Sequence, residues 1–377
     1  MKKSIRILLI AALWLGLASG ILRAAVLPKS VNEYELRPAQ QLPDLHAEDF
    51  FSGNYQQLFE SALSDQFPLS QYMKKAYNLS SSAYLKALIL PVAARDDELV
   101  VEYNGIRLYQ GSMLYTPKEF DKDRGLYDLL ADSYNRAMVA LPETAFYFYF
   151  IESDAVHDYI GGGMRPTFDT LCGLLAVPDN QIGRLALKDF SDYQDCFLRT
   201  DHHWSAHGSY RGYLDLLELL EVEDPPLVPA GEKVFSGYAG SKAAGARLPT
   251  FTESVRVYFF DYPDLGQSYG NEALYWDDRE TEFSYGIFYG GDEGEIVFDT
   301  GRPERDNLLV IGDSYDNAIL KLLASHFGKT FSVDLRYYPS GEGGFDLPDY
   351  VRSHEIQKVL VIGSDFLFLD PTYSVRS

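Results

Sequence analysis

Residues 308 to 362 set the strongest limit on what this chain can fold into. Leu308 to Ile311 is a continuous apolar run, and Tyr315 to His326 has helical character and is closed by Gly328. Phe331 to Leu335 is a second apolar run, Leu347 to Ser353 a short helix, and Val359 to Ile362 a third run. Strand–helix alternation of this kind implies parallel strands, because parallel neighbours need a crossover and helices supply it. Further upstream, Ala145 to Ile151 reads AFYFYFI, apolar without alternation. A strand covered on both faces reads this way. The expected class is α/β, a parallel sheet flanked by helices.

The N-terminus reads as an export signal. Lys2, Lys3 and Arg6 precede an apolar run of 16 residues from Ile7 to Leu22. Residues 1–23 fit either a cleaved signal peptide or a membrane anchor, and the basic flank puts the rest of the chain outside the cytoplasm. Residues 24–45, with Pro28, Pro38 and Pro43, read as a linker. From residue 46 to 377 the chain reads as one α/β domain. Within it, Asn54 to Tyr77 forms helices broken near Pro68, and Asn104-Gly105 marks a hairpin turn. Lys118 to Leu141 is a long helix, and residues 222–305, rich in tyrosine, glycine and acid, are an inserted β-rich elaboration.

Two phrases carry chemistry. Three of the seven histidines fall in Thr200-Asp201-His202-His203-Trp204-Ser205-Ala206-His207. Ser205 suits the N-cap of a helix running to about Glu221, with Tyr210, Tyr213, Leu214, Leu217 and Leu220 as its buried stripe. Asp201 and His203 then lie on the loop before it. The second phrase, Gly312-Asp313-Ser314, follows an apolar strand, where α/β sheets form their sites and where backbone N–H groups of a following helix can face an oxyanion. Ser314 is the candidate nucleophile, His203 its base, and Asp201 the group that fixes the imidazole tautomer. The plain alternative is that Gly-Asp-Ser caps a turn and the histidine loop caps a helix. A zinc pair His203/His207 is the rival; the glutamate of H-E-x-x-H is missing, with Trp204 in its place, and His203 falls outside a helix that begins at Ser205. No metal and no cofactor is expected.

The stretch TDHHWSAHGSYRGY resembles the namesake motif of the DHHW family. LLVIGDSYDNAI followed by VDLRYY resembles its second signature, and FFSGNYQQLFESALSDQFPLSQ resembles the start of such domains. All are similar to the SGNH-hydrolase-like domain of the alginate O-acetyltransferases. The resemblance implies a Ser–His–Asp site in which Ser314, His203 and Asp201 match position by position. It also implies a circularly permuted SGNH-hydrolase-like fold, since ordinary members run serine first. Arg336 and Tyr337 fall in the VDLRYY segment and are implied near the substrate pocket, although Arg336 could equally pair with Asp334 or a surface carboxylate. No Gly-x-Asn-Asp block supplies the usual oxyanion asparagine.

The net charge of -22 would repel a phosphate backbone, so nucleic acid is excluded as a partner. The 28 tyrosines offer faces suited to sugar rings, although a tyrosine-rich core and sheet surface explains most of them. The expected function is an extracytoplasmic serine-dependent O-acetyltransferase acting on a cell-surface or exopolysaccharide, with a membrane acyltransferase as a possible acyl-donating partner. A carbohydrate esterase or deacetylase would use the same three residues, and a non-catalytic polysaccharide-binding assembly protein is a third reading. Cys172 and Cys196 are expected as unpaired, buried thiols.

Overall fold

The structure is a computed structural model that describes residues 10, 11, 14, 15, 18, 20–23, 25–32, 37–44, 54–67, 70–89, 99–116, 120–268, 283, 285, 293–339 and 344–376. The chain divides into two compact units, Met1–Leu85 and Lys86–Ser377.

In the first unit, helices Asn54–Gln66 and Ser70–Tyr84 flank the break expected near Pro68. The stretch read as a linker is fastened to the first of them. The Gln66 side chain accepts from the Lys29 N–H and donates to the Lys29 and Gln40 carbonyls, while buried Asp65 accepts from the Gln40 N–H. Half of the apolar run read as a signal or anchor lies outside the described residues. Among the described residues, no helix is long and apolar enough to cross a membrane.

The second unit is built on a seven-stranded mixed sheet. Its order is Gly266–Ser268, Glu295–Asp299, Lys329–Val333, Leu308–Gly312, Lys358–Ser364, Ala145–Ile151, Ile182–Leu185. The last five are parallel, and the first two add an antiparallel edge. The AFYFYFI run is apolar throughout because its alternate residues enter two different cores. Phe146, Phe148 and Phe150 pack with the Phe120–Ala140 helix on one face, and Tyr147, Tyr149 and Ile151 pack with the Ala206–Leu219 helix on the other.

The crossovers explain where a site can form. Leu320 and Leu323, between the Leu308–Gly312 and Lys329–Val333 strands, pack on the face of Leu308 and Val310. Leu347 and Val351, between Lys329–Val333 and Lys358–Ser364, pack on the opposite face with Leu309 and Ile311. Crossovers keep one hand, so opposite faces mean that the direction of travel reverses beside the Leu308–Gly312 strand. The crevice beyond the carboxyl end of that strand is the natural site position.

Several expectations need correction. The 222–305 elaboration forms its own hairpin, Pro229–Tyr238 against Glu253–Phe260, but it also supplies both antiparallel edge strands of the main sheet. Tyr315 to His326 is not one helix; a 3₁₀ turn at Asp316–Ala318 precedes a short helix at Leu320–Ala324. Residues 319–327 are all buried, so no polar face marked the break. Gly328 has no left-handed backbone; an added Cβ would instead come within 2.8 Å of the Arg305 carbonyl oxygen. Leu214 is exposed on its helix, and Leu216 is buried there. The Asn104-Gly105 turn forms with positive φ at both residues, and a third strand, Ser112–Tyr115, extends the hairpin. Both cysteines are free thiols, Cys196 buried and Cys172 only half-buried.

Candidate active site

Ser314 follows the central strand Leu308–Gly312 directly. The chain turns sharply there: the Tyr315 N–H donates to the Asp313 carboxylate at 3.1 Å and the Asp316 N–H to the Asp313 carbonyl at 3.0 Å. These two helix-start donors, expected to face an oxyanion, are therefore engaged. Among the described residues the Ser314 N–H has no acceptor.

His203 comes from a small antiparallel loop. Phe197 bridges Trp204, the Leu198 N–H donates to the His203 carbonyl at 3.1 Å, and the Ser205 N–H donates to the Cys196 carbonyl at 2.7 Å. Ser205 then caps the Ala206–Leu219 helix, accepting from the Gly208 N–H. Trp204 anchors the loop in the core, where it is 2% exposed.

The three expected side chains meet. His203 Nε2 lies 2.7 Å from Ser314 Oγ, and His203 Nδ1 lies 2.7 Å from Asp201 Oδ1. With Nδ1–H donating to the carboxylate, Nε2 is left as an acceptor for the serine hydroxyl. Asp201 is almost fully buried, which would ordinarily oppose its charge. Four donors satisfy it: His203 Nδ1–H and the His203 N–H on Oδ1, and the Tyr238 hydroxyl and the Ser241 N–H on Oδ2, the last two both at 2.7 Å. Burial raises its pKa, but the hydrogen bond and charge of His203 outweigh that and hold the carboxyl well below the usual carboxylate range. Burial, then the charge of Asp201, pushes the Tyr238 phenol up, so it remains a donor.

Tyr285 lies parallel to the His203 ring, centroids 3.6 Å apart and planes 9° apart, covering one face of the imidazole. His202 lies against the His203 ring, centroids 3.9 Å apart, with Nδ1 2.6 Å from Ser241 Oγ and 3.5 Å from Asp201 Oδ1. Burial and then the neighbouring His203 push its pKa down to about 4, so it is neutral at pH 7. Asp201, His202 and His203 offer ligand atoms within 4.8 Å of one another, the one such group of three among the described residues. Each of those atoms already has a hydrogen-bond partner, which a metal ion would have to displace. His207 is exposed in the first turn of the following helix, outside that group.

Arg336 and Tyr337 leave the neighbouring strand, Lys329–Val333. Arg336 is clasped by Asp334, with Nε 3.0 and 3.1 Å from the two carboxylate oxygens. Tyr337 is 56% exposed, with that guanidinium 5.2 Å from its ring centroid.

Sequence reasoning missed the groups that hold Asp201. Tyr238, Gly240 and Ser241 belong to the elaboration, as does Glu253, whose carboxylate accepts from the Arg199 and Thr200 N–H groups and from the Thr200 hydroxyl. No spacing signal links them to residues 199–203. Beneath them, buried Lys242 donates to both Asp154 oxygens at 2.9 Å and to the Tyr193 hydroxyl at 3.0 Å. Gly240 packs so closely that an added Cβ would lie 2.5 Å from the Asp201 Cβ and 2.7 Å from the Thr200 carbonyl oxygen. Gly240→Ala is expected to displace the Asp201 loop. A loss of about 1–3 kcal/mol of stability should accompany a fall in turnover of roughly tenfold or more. Thermal melts and initial rates with an activated ester check both, and an unaltered rate would mean the loop tolerates the shift.

No family model matches the chain, and no curated protein matches it. Among solved structures, a DHHW family protein from Eubacterium siraeum aligns with TM-score 0.58 at 16% identity, over 74% of this chain and 98% of that one. The fold is that of a DHHW family protein. PatB1 of Bacillus cereus, solved with a sulfonyl adduct, aligns with TM-score 0.55 at 18% identity, over 74% and 99% of the two chains. The O-acetyltransferase domain of Pseudomonas putida AlgJ also matches, with TM-score 0.37 at 13% identity over 72% and 92% of the two chains. The DHHW fold thus provides the sheet and the crevice, and the chemistry rests on the side chains that meet there.

Proposed function

We propose that this chain is a DHHW-family, extracytoplasmic O-acetyltransferase with a permuted SGNH-like site, acting on a cell-surface or exported polysaccharide through an acyl-serine. The observation that carries the reading is the continuous line of 2.7 Å contacts from Asp201 through His203 to Ser314. Ser314 Oγ attacks the carbonyl carbon of an acetyl ester while His203 Nε2 takes its proton. The imidazolium, braced by Asp201, passes that proton to the departing alkoxide as the acyl–oxygen bond breaks. A sugar hydroxyl then attacks the acyl-serine, His203 takes the proton of the hydroxyl, and Ser314 recovers it on release. The unengaged Ser314 N–H is the donor available to the oxyanion. Supporting the nucleophile is the sulfonyl adduct of PatB1, since adducts of that kind form on nucleophiles. A membrane acyltransferase would supply the acetyl group.

Intact-mass analysis after treatment with a serine-directed phosphonate tests the nucleophile. One adduct is expected, absent in Ser314→Ala. Unlabelled folded wild-type protein would favour a binding role instead. With a chromogenic acetyl ester, acetylated oligosaccharide marks transfer, and release of acetate alone marks a hydrolase.

A further inference from the structure

Charge at the carboxyl edge of the sheet bears on the acceptor. Gly312 is level with Ile362, and Ile311 with Val333, in parallel register. The exit of the central strand, with Ser314, therefore lies between the exits that carry Asp334–Tyr337 and Ser364–Phe366, each about one strand spacing away (~4.8 Å). Each of these neighbouring exits holds an acid, and each acid holds a cation. Asp334 clasps Arg336, and Asp365 pairs with Arg165 at 3.1 Å. Beyond the next strand, Asp154 pairs with Lys242 at 2.9 Å and Glu152 with Arg184 at 2.8 Å. Arginine recognises carboxylates and phosphates through its fork of donors, and here the forks are already turned to carboxylates of the protein. Asp313 precedes Ser314 directly, Asp201 lies behind His203, and the chain as a whole carries -22. An anionic polymer would meet repulsion on approach and, among these described residues, committed cations on arrival.

The same edge carries two partly exposed aromatic side chains, one of them with the Arg336 guanidinium over its ring. Tyr337 is 56% and Phe366 41% exposed, one on either side of the Ser314 exit. Tyr115 and Phe366 meet in a T-shaped contact, centroids 6.0 Å apart. A span of two strand spacings, roughly 10 Å, separates the two exits. Apolar ring faces with polar groups between them suit the C–H faces and hydroxyl edges of sugars.

We infer that the acceptor is an uncharged glycan chain laid across Tyr337 and Phe366, and that polyuronates are rejected. The inference rests on the acyl-transfer reading and adds the substrate class. Its test uses the full chain with 4-nitrophenyl acetate as donor and either a neutral N-acetylchito-oligosaccharide or an oligogalacturonate as acceptor. Acetyl transfer to the neutral sugar is expected, with kcat/KM at least about tenfold above the uronate. Its KM should change less than about twofold between roughly 20 and 500 mM salt. Phe366→Ala is expected to raise that KM about tenfold with kcat held, far-UV circular dichroism reporting the fold. Asp334→Asn, which removes the negative charge that clasps Arg336, should let uronate serve as acceptor. Transfer to the uronate by the wild-type chain, at a rate equal to or above that to the neutral sugar, overturns the inference. Ester turnover with transfer to neither sugar, or no ester turnover at all, would instead overturn the acyl-transfer reading.

Discussion

His203→Ala is expected to lower turnover of an activated acetyl ester by about four to six orders of magnitude. The imidazole is the only group in the line that bonds both other members, at 2.7 Å on each side. Without it the Ser314 hydroxyl keeps its proton, and the carboxylate of Asp201 loses one of its four donors, its Oδ1 retaining only the backbone N–H at position 203. Asp201→Asn should cost less, about four orders, because the imidazole remains but its tautomer is no longer enforced. Both variants should keep the fold, since the Phe197–Trp204 bridge and the Ser205 cap do not use these side chains. Initial rates with active-site titration measure the effect. A His203→Ala protein within tenfold of wild type would remove the histidine from the chemistry.

Lys242→Met is expected to cost about 3–5 kcal/mol of stability. The ammonium group is fully buried, its side chain 0% exposed, against an Asp154 side chain 2% exposed. Removing it strands that carboxylate, which keeps the Tyr115 N–H but no cation. The damage should also reach the site, because Ser241, the preceding residue, gives its N–H to Asp201. Urea unfolding of the single variant and of Lys242→Met/Asp154→Leu separates the two effects. Replacing both charges should recover most of the loss, since the cost lies in the orphaned charge and not in the missing pair. A single variant within about 1 kcal/mol of wild type would mean that the pair is not structurally coupled.

The sheet was legible because its signals are local. The runs at 145–151, 308–311 and 359–362 are too apolar for any one-sided strand, and each is buried where expected. The break inside 315–326 was not legible, since a segment buried on every side offers no polar face from which to read a period. Leu214 illustrates the reverse: an apolar residue at helical spacing that packing left in solvent.

Asp201-x-His203 and Gly312-Asp313-Ser314 could be recognised as chemical parts from their own neighbours, because a turn before a helix and a turn after a strand are written in a few consecutive residues. What holds the parts was decided by packing alone. The Asp201 oxygen that faces away from His203 is satisfied by Tyr238 and Ser241, 37 and 40 residues downstream, and the contact between His203 and Ser314 spans 111 residues. The residue types and their order determined which reaction was conceivable. The folding of the elaboration back onto the sheet determined that a buried carboxylate could stay charged beside the imidazole, since only tertiary contacts can bring donors from that far along the chain to a group that water no longer reaches.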